Sequence, residues 1–281
     1  LDKPVYFLID GEDGRLGALV EEEGLATPYR FEGGKWQALG LPAKHRGAAK
    51  ALSLGLYFGR DNRPRLMGYH REGDTMVYLR YRDGAWQDQR SEIGALAGDR
   101  AALYGVLGED DPEVVCKVGG ICLLKSRKGW KELPASIPAT AVVRAFSGRG
   151  YALTEEGVLR AGDKRFERVG PEAPWKTPAT GFWVGPDESM VVVEPANNLI
   201  HAYDGKTWSS APSPIERPED VVQSELGRIV VGKGGVAHLE GAQATRVGDP
   251  TWSFSRVLVQ DARVIVGGAA GVAVIEVAAA Q

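Results

Sequence analysis

At 281 residues, 25% of them charged and 43% hydrophobic, the chain has the composition of a folded protein with one large domain or two small ones, neither disordered nor fibrous. Lys and Arg number 34 against 37 Asp and Glu, a formal net charge of -3, which excludes the overall basic excess of a general nucleic-acid or anionic-membrane binder. The two cysteines, Cys116 and Cys122, cannot form a disulfide framework, no apolar run approaches the roughly 18 residues of a membrane span, and the 37 glycines point to many tight turns between short strands.

The predicted elements recur. In chain order, a small polar turn ahead of an aromatic anchor is found at Phe31-Glu-Gly-Gly-Lys-Trp36, Tyr81-Arg-Asp-Gly-Ala-Trp86, Lys125-Ser-Arg-Lys-Gly-Trp130, Ala161-Gly-Asp-Lys-Arg-Phe166 and Tyr203-Asp-Gly-Lys-Thr-Trp208. A sixth copy, Leu239-Glu-Gly-Ala-Gln-Ala-Thr245, keeps the turn and puts a β-branched residue in the anchor position. The spacing is that of one four-stranded propeller blade per unit and is too irregular for a helical solenoid.

Alternation and turn chemistry predict the strands inside a unit. The fourth unit reads as Val142–Ser147, Tyr151–Thr154, Val158–Ala161 and Phe166–Val169. The sixth reads as Val221–Ser224, Arg228–Val231, Val236–Leu239 and Thr245–Val247. A seventh begins at Phe254–Val259, continues through Arg263–Val266 and ends with Val272–Val277, three strands without a fourth. The expectation is therefore an all-β chain forming a single β-propeller of seven blades of four antiparallel strands, the last incomplete. The blades are placed at about 4–42, 48–95, 99–138, 140–174, 178–217, 219–249 and 252–279. Prolines cluster at the crossings, where a ladder does not need the missing N–H.

Three stretches resemble known propeller repeats. Tyr203-Asp-Gly-Lys-Thr-Trp208-Ser-Ser-Ala-Pro212 looks like the third-to-fourth strand turn of kelch repeats, and Val264-Ile-Val-Gly-Gly268 like their double glycine. The sixth unit, from Glu219-Asp-Val-Val to Gly-Lys-Gly-Gly-Val236, is similar to repeats of bacterial two-component-regulator propellers. What this resemblance implies is binding and scaffolding.

With blades running from inner to outer strand, crossings and second-to-third turns share one face. That face carries Lys44, His45, Arg46 and Arg100, with Trp175 and Trp252 in crossing loops. A tryptophan there is either a plug between blades or an exposed anchor for a partner. The opposite face carries the acidic turns Asp10–Asp13, Glu109–Asp111, Asp187-Glu188 and Asp261, read as solvated turn acids. The EF-hand pattern fails, because Arg15 stands where the loop needs glycine. The second unit interleaves Arg60, Arg63, Arg65, His70, Arg71, Arg80 and Arg82 with Tyr57, Tyr69, Tyr78 and Tyr81, a composition suited to anions, sugars or a single strand of nucleic acid. The competing reading there is an ordinary charged strand surface.

No catalytic residue, metal site or cofactor is expected. Gly227–Gly234 mimics a P-loop but lacks its Ser/Thr, and no two of His45, His70, His201 and His238 stand at metal-ligand spacing. His201 and His238 occupy equivalent third-strand positions and are expected to mark blade register. The functional expectation is a monomeric, non-enzymatic module that binds a protein partner through one face. Its candidate contacts are Trp175, Trp252, His45, Arg46, Arg60, Arg63, Arg65, Tyr69 and His70. Carbohydrate or small-anion recognition, at the channel mouth or on the second blade, is the alternative. A hydrolase or lyase would need acids on inner strands, which read as mostly apolar apart from Arg144 and Arg256. No membrane span and no general nucleic-acid binding are expected. The cytoplasm is the expected compartment, with secretion after removal of a leader left open.

Overall fold

The computed structural model describes residues 1–10, 15–45, 54–59, 61–70, 75–91, 101–104, 113–117, 121–126, 129–134, 142–146, 149–162, 166–240, 243–247, 249, 251–260 and 263–276. Among the described residues, every regular element longer than a turn or a short 3₁₀ segment is a strand. The first sheet contains β1 (Val5–Asp10), β2 (Leu16–Glu22), β3 (Leu25–Glu32) and β4 (Lys35–Ala38). The second contains β5 (Leu54–Phe58), β6 (Pro64–His70), β7 (Thr75–Arg82) and β8 (Ala85–Asp88). The third contains β9 (Ala101–Tyr104), β10 (Glu113–Lys117), β11 (Ile121–Ser126) and β12 (Gly129–Pro134). The fourth contains β13 (Val142–Phe146), β14 (Arg149–Thr154), β15 (Gly157–Ala161) and β16 (Phe166–Val169). The fifth contains β17 (Phe182–Val184), β18 (Met190–Glu194), β19 (Leu199–Tyr203) and β20 (Trp208–Pro212). The sixth contains β21 (Glu216–Ser224), β22 (Gly227–Lys233), β23 (Gly235–Glu240) and β24 (Gln243–Val247). Three further strands, β25 (Phe254–Gln260), β26 (Arg263–Gly268) and β27 (Gly271–Glu276), form a sheet of their own.

Each sheet is a meander whose strands pair with their sequence neighbours. The expectation of seven blades, the last incomplete, is corrected to six: among the described residues six sheets have the four strands of a complete blade, and β25–β27 is a sheet of three. No described strand pairs along the outer side of β27. There the Leu1 carbonyl accepts a hydrogen bond from Val272 N–H at 3.0 Å.

Turn chemistry explains the registers. Glu32 pairs with Lys35 across Gly33-Gly34 and Arg82 with Ala85 across Asp83-Gly84. Both turn residues have positive φ, 60° and 80° in the first and 52° and 81° in the second, the backbone that two-residue hairpins require. This register sets each anchor opposite the residue five positions earlier. Trp36 therefore faces Phe31, Trp86 faces Tyr81, Trp130 faces Lys125, Phe166 faces Ala161 and Trp208 faces Tyr203. Three of these pairs are ring contacts, with centroids 5.1–5.3 Å apart. In the sixth sheet Leu239 faces Ala244, while Thr245 faces His238, so the expected anchor there is one residue out of register.

Two compact units partition the contacts. One comprises residues 9–154 and 158–169, the other residues 1–8, 155–157 and 170–281. In the second unit, Ile229, Val231 and Val236 pack with Phe254, Val257, Val264 and Val266 between neighbouring sheets. Val191, Val193 and Ile200 pack likewise with Val221 and Val230. Bare backbone permits the closest approach: a Cβ on Gly181 would lie 2.5 Å from the Asp220 Cα.

Candidate functional site

Glu194, fully buried at the end of β18, gathers five hydrogen bonds. One carboxylate oxygen accepts from Lys176 N–H (2.7 Å), Thr177 N–H (2.6 Å), the Thr177 hydroxyl (2.8 Å) and the Asn197 amide (2.8 Å). The other lies 3.1 Å from Nε2 of His201. Burial alone would push this carboxyl up, but the donated hydrogen bonds outweigh it and hold it at about 2. The ionised carboxylate fixes Nε2 as a protonated ring nitrogen, and Nδ1 lies 2.8 Å from the Ser210 hydroxyl. Ser210 stands opposite His201 because β19 and β20 pair in that register.

A Ser–His–Glu chain is the arrangement of an activated serine, and here it also ties the crossing loop to β18 and β19. His201 is 1% exposed, Trp175 covers it with ring centroids 5.9 Å apart, and four donors on Glu194 come from the crossing loop and the β18–β19 turn. His201 is thus closed off from solvent, while Ser210 is exposed on β20.

Trp175, expected as a partner contact, is 4% exposed and packs edge-to-face on Trp208 at 5.3 Å. It is the plug of its crossing, and the exposed-anchor reading of this residue is corrected. Trp252 is half-buried, 5.7 Å from the ring of Phe254 and packed against the Ile229–Val266 core. His45 is buried, while its neighbour Lys44 reaches Asp88 at 3.5 Å. Arg46 and Arg60 lie outside the described residues. Tyr69 and His70 are placed at the end of β6 by their backbone alone.

Arg63 and Arg65 do come together. Asp61 sits in the β5–β6 turn, closed by Asn62 N–H to Gly59 O at 2.7 Å and Gly59 N–H to Arg63 O at 3.0 Å. The Asp61 carboxylate takes Arg65 Nη2 at 3.1 Å on one oxygen and Arg80 Nη2 at 2.5 Å on the other, with Arg63 Nε at 3.9 Å. Arg80 joins because β6 and β7 pair Arg65 with it directly. Sequence alternation assigned Arg80 to a plain outer surface; the register across the hairpin is the signal that groups it.

Two acids were missed. The sequence reading starts the inner strand of the sixth unit at Val221, but β21 begins at Glu216 and takes in Glu219 and Asp220, with register shifts near Pro218. Asp220 is buried and accepts from Val257 N–H of β25 at 3.2 Å. Burial raises the Glu219 carboxyl above its ordinary range, opposed by the nearby Arg217 and Arg256. The register shifts explain the miss, because they break the alternation that marks a strand. Among the described residues, no group of three or more His, Cys, Asp or Glu side chains is placed to hold a metal ion.

Comparison with solved structures supplies the architecture. The chain is similar to a structure of streptogramin B lyase at 14% identity and a TM-score of 0.67, over 96% of this chain and 92% of that one. It is similar to YCF48 bound to D1 peptide at 16% identity and a TM-score of 0.69, over 99% and 93%. YCF48 from Cyanidioschyzon merolae matches at 14% and 0.68, over 97% and 95%. The chain has a β-propeller fold. The extracellular domain of a putative hybrid two-component system from B. thetaiotaomicron also matches, at 10% identity and 0.66, with all of this chain covering 39% of that one. At such identities the fold alone is shown; kelch membership is not. No protein-family model matches the chain, nor does any curated protein. Among the described residues, no helix is long and apolar enough to cross a membrane.

Proposed function

We propose that this propeller is a non-enzymatic binding module that engages a protein partner through the second blade. The observation that carries this reading is the grouping of Arg63, Arg65 and Arg80 on the single carboxylate of Asp61, a local cationic surplus on a chain of net charge -3. Arginine is the residue most suited to such contacts, because its planar fork pairs directionally and loses little hydration on burial. By contrast, Glu194, His201 and Trp175 are turned inward and spent on holding a loop. YCF48, of similar fold, is seen with a bound peptide, which supports this use of the architecture.

The test is site-specific photo-cross-linking in the native host. A photoreactive residue at Gln87, exposed on β8 and paired with Arg80, is expected to capture one protein species. The same probe at Lys206, exposed in the other unit, is expected to capture none. Identical adducts at both positions, or none at Gln87, would overturn the reading.

A second reading, a lyase or hydrolase, is favoured by one observation: Glu219, a carboxyl raised by burial, lies on an inner strand beside Arg217 and Arg256 and could serve as a general acid. Streptogramin B lyase shares the fold. Turnover abolished by Glu219→Gln with unchanged thermal stability would be the mark of that activity. Carbohydrate recognition on the same blade remains the third outcome of a ligand screen.

A further inference from the structure

The geometry around Asp61 points to a carboxylate-binding site in which Asp61 is the resident competitor. We infer that the partner presents an acidic peptide segment whose carboxylate is received by Arg63 and Arg80. This deepens the binding-module reading above and rests on it.

Three guanidiniums face one carboxylate. The three are not equivalent. The Arg65 side chain is 5% exposed, with its guanidinium lying over Gly59, and it anchors Asp61 from beneath. Arg80 is 24% exposed and bonds Asp61 through one terminal nitrogen, leaving its other terminal N–H groups outside that bond. Arg63 is 39% exposed and reaches Asp61 only at 3.9 Å, beyond hydrogen-bond distance. The outer two arginines therefore keep donor capacity that Asp61 does not consume. A carboxylate takes two such donors at once, one on each oxygen, in charge-assisted bonds.

The setting also selects the ligand. A chain of net charge -3 repels an extended polyanion, whereas a short acidic segment meets only the local field, since screening confines the interaction to within about 10 Å at ordinary ionic strength. Asp61 does not close the site. Its carboxylate is 29% exposed, and an incoming carboxylate that bridges Arg63 and Arg80 shares the arginines with it, leaving the buried Arg65 pair in place.

Binding of a capped tetraglutamate peptide, followed by NMR on the arginine Nε–H signals, tests this directly. The Arg63 and Arg80 signals are expected to shift, and affinity should fall at least tenfold when salt is raised from about 50 mM to about 500 mM. Arg63→Gln and Arg80→Gln should each weaken binding by tenfold or more. Arg63→Gln leaves the Arg65–Asp61 pair intact, so its effect is separable from misfolding. Asp61→Asn removes the competitor and is expected to tighten binding several-fold, whereas a purely structural ion-pair cluster would give no binding in that variant.

Capped tetralysine should not bind, and inorganic phosphate should bind more weakly than tetraglutamate; phosphate binding more tightly would overturn the carboxylate assignment. So would tetraglutamate shifts that are absent or unaffected by Arg63→Gln. If the Gln87 cross-link persists unchanged in Arg63→Gln, this inference fails while the binding-module reading stands. Loss of the cross-link in the wild type brings down both.

Discussion

Glu194 is one residue whose removal should be felt across its whole sheet. Its buried carboxylate organises the loop through Lys176 and Thr177, the Asn197 turn and the His201 ring, so Glu194→Ala leaves the buried His201 ring and several part-buried donors without their acceptor. Such a loss costs about 3–5 kcal/mol, measurable as a lowered denaturation midpoint. The same carboxylate links stability to pH. Its folded value of about 2 lies below the ordinary 4.5, so its contribution is complete above about 4.5 and is lost as the pH falls toward about 2. By linkage that contribution is roughly 3 kcal/mol. Denaturation midpoints followed through this acid window should fall for the wild type and fall less for Glu194→Gln. Trp175→Ala should lower stability by about 3–5 kcal/mol, as expected for a large aromatic lost from a packed site. Lost binding in that variant would report lost packing as readily as lost contact.

At the scale of elements, the hairpins were the most legible part of the sequence. Asp83-Gly84 and Gly33-Gly34 prescribe two-residue turns with positive φ, and those turns set Trp86 against Tyr81 and Trp36 against Phe31. Gly84→Val forces a β-branched residue to φ 81° and should cost about 1–2 kcal/mol, seen as faster amide exchange in β7 and β8. What the sequence concealed has equally local causes. β21 starts at Glu216, ahead of the reading, because its irregular pairing around Pro218 breaks alternation, and so Glu219 and Asp220 were passed over. Arg80 looked like a surface residue because its partner Arg65 stands on another strand, and cross-strand register is a property of the pair. Trp175 was legible as a loop aromatic, but its plug role depends on Trp208 and His201, which are distant in sequence.

At the scale of the whole molecule, the first residues and the last sheet share one compact unit. Leu1 accepts from Val272 N–H at 3.0 Å, and a Cβ on Gly267 would meet Val5 at 3.2 Å and Leu8 at 3.4 Å. Val5 and Leu8 are both buried, although β1 pairs by hydrogen bonds with β2 in the first sheet. The beginning of β1 thus packs against β26 while its ladder belongs elsewhere, a contact of very long sequence separation. Its energetic consequence follows from burial: Leu8→Ala should cost about 2–5 kcal/mol, and the cost should surface at the far end of the chain. Hydrogen exchange is expected to show protection lost from the β26 and β27 amides, with β13 to β16 changed little. Equal loss in all sheets would mean that unfolding is global and that the two compact units do not open separately. Protection lost only in β1 and β2 would show that the packing of Leu8 against Gly267 adds nothing to the last sheet.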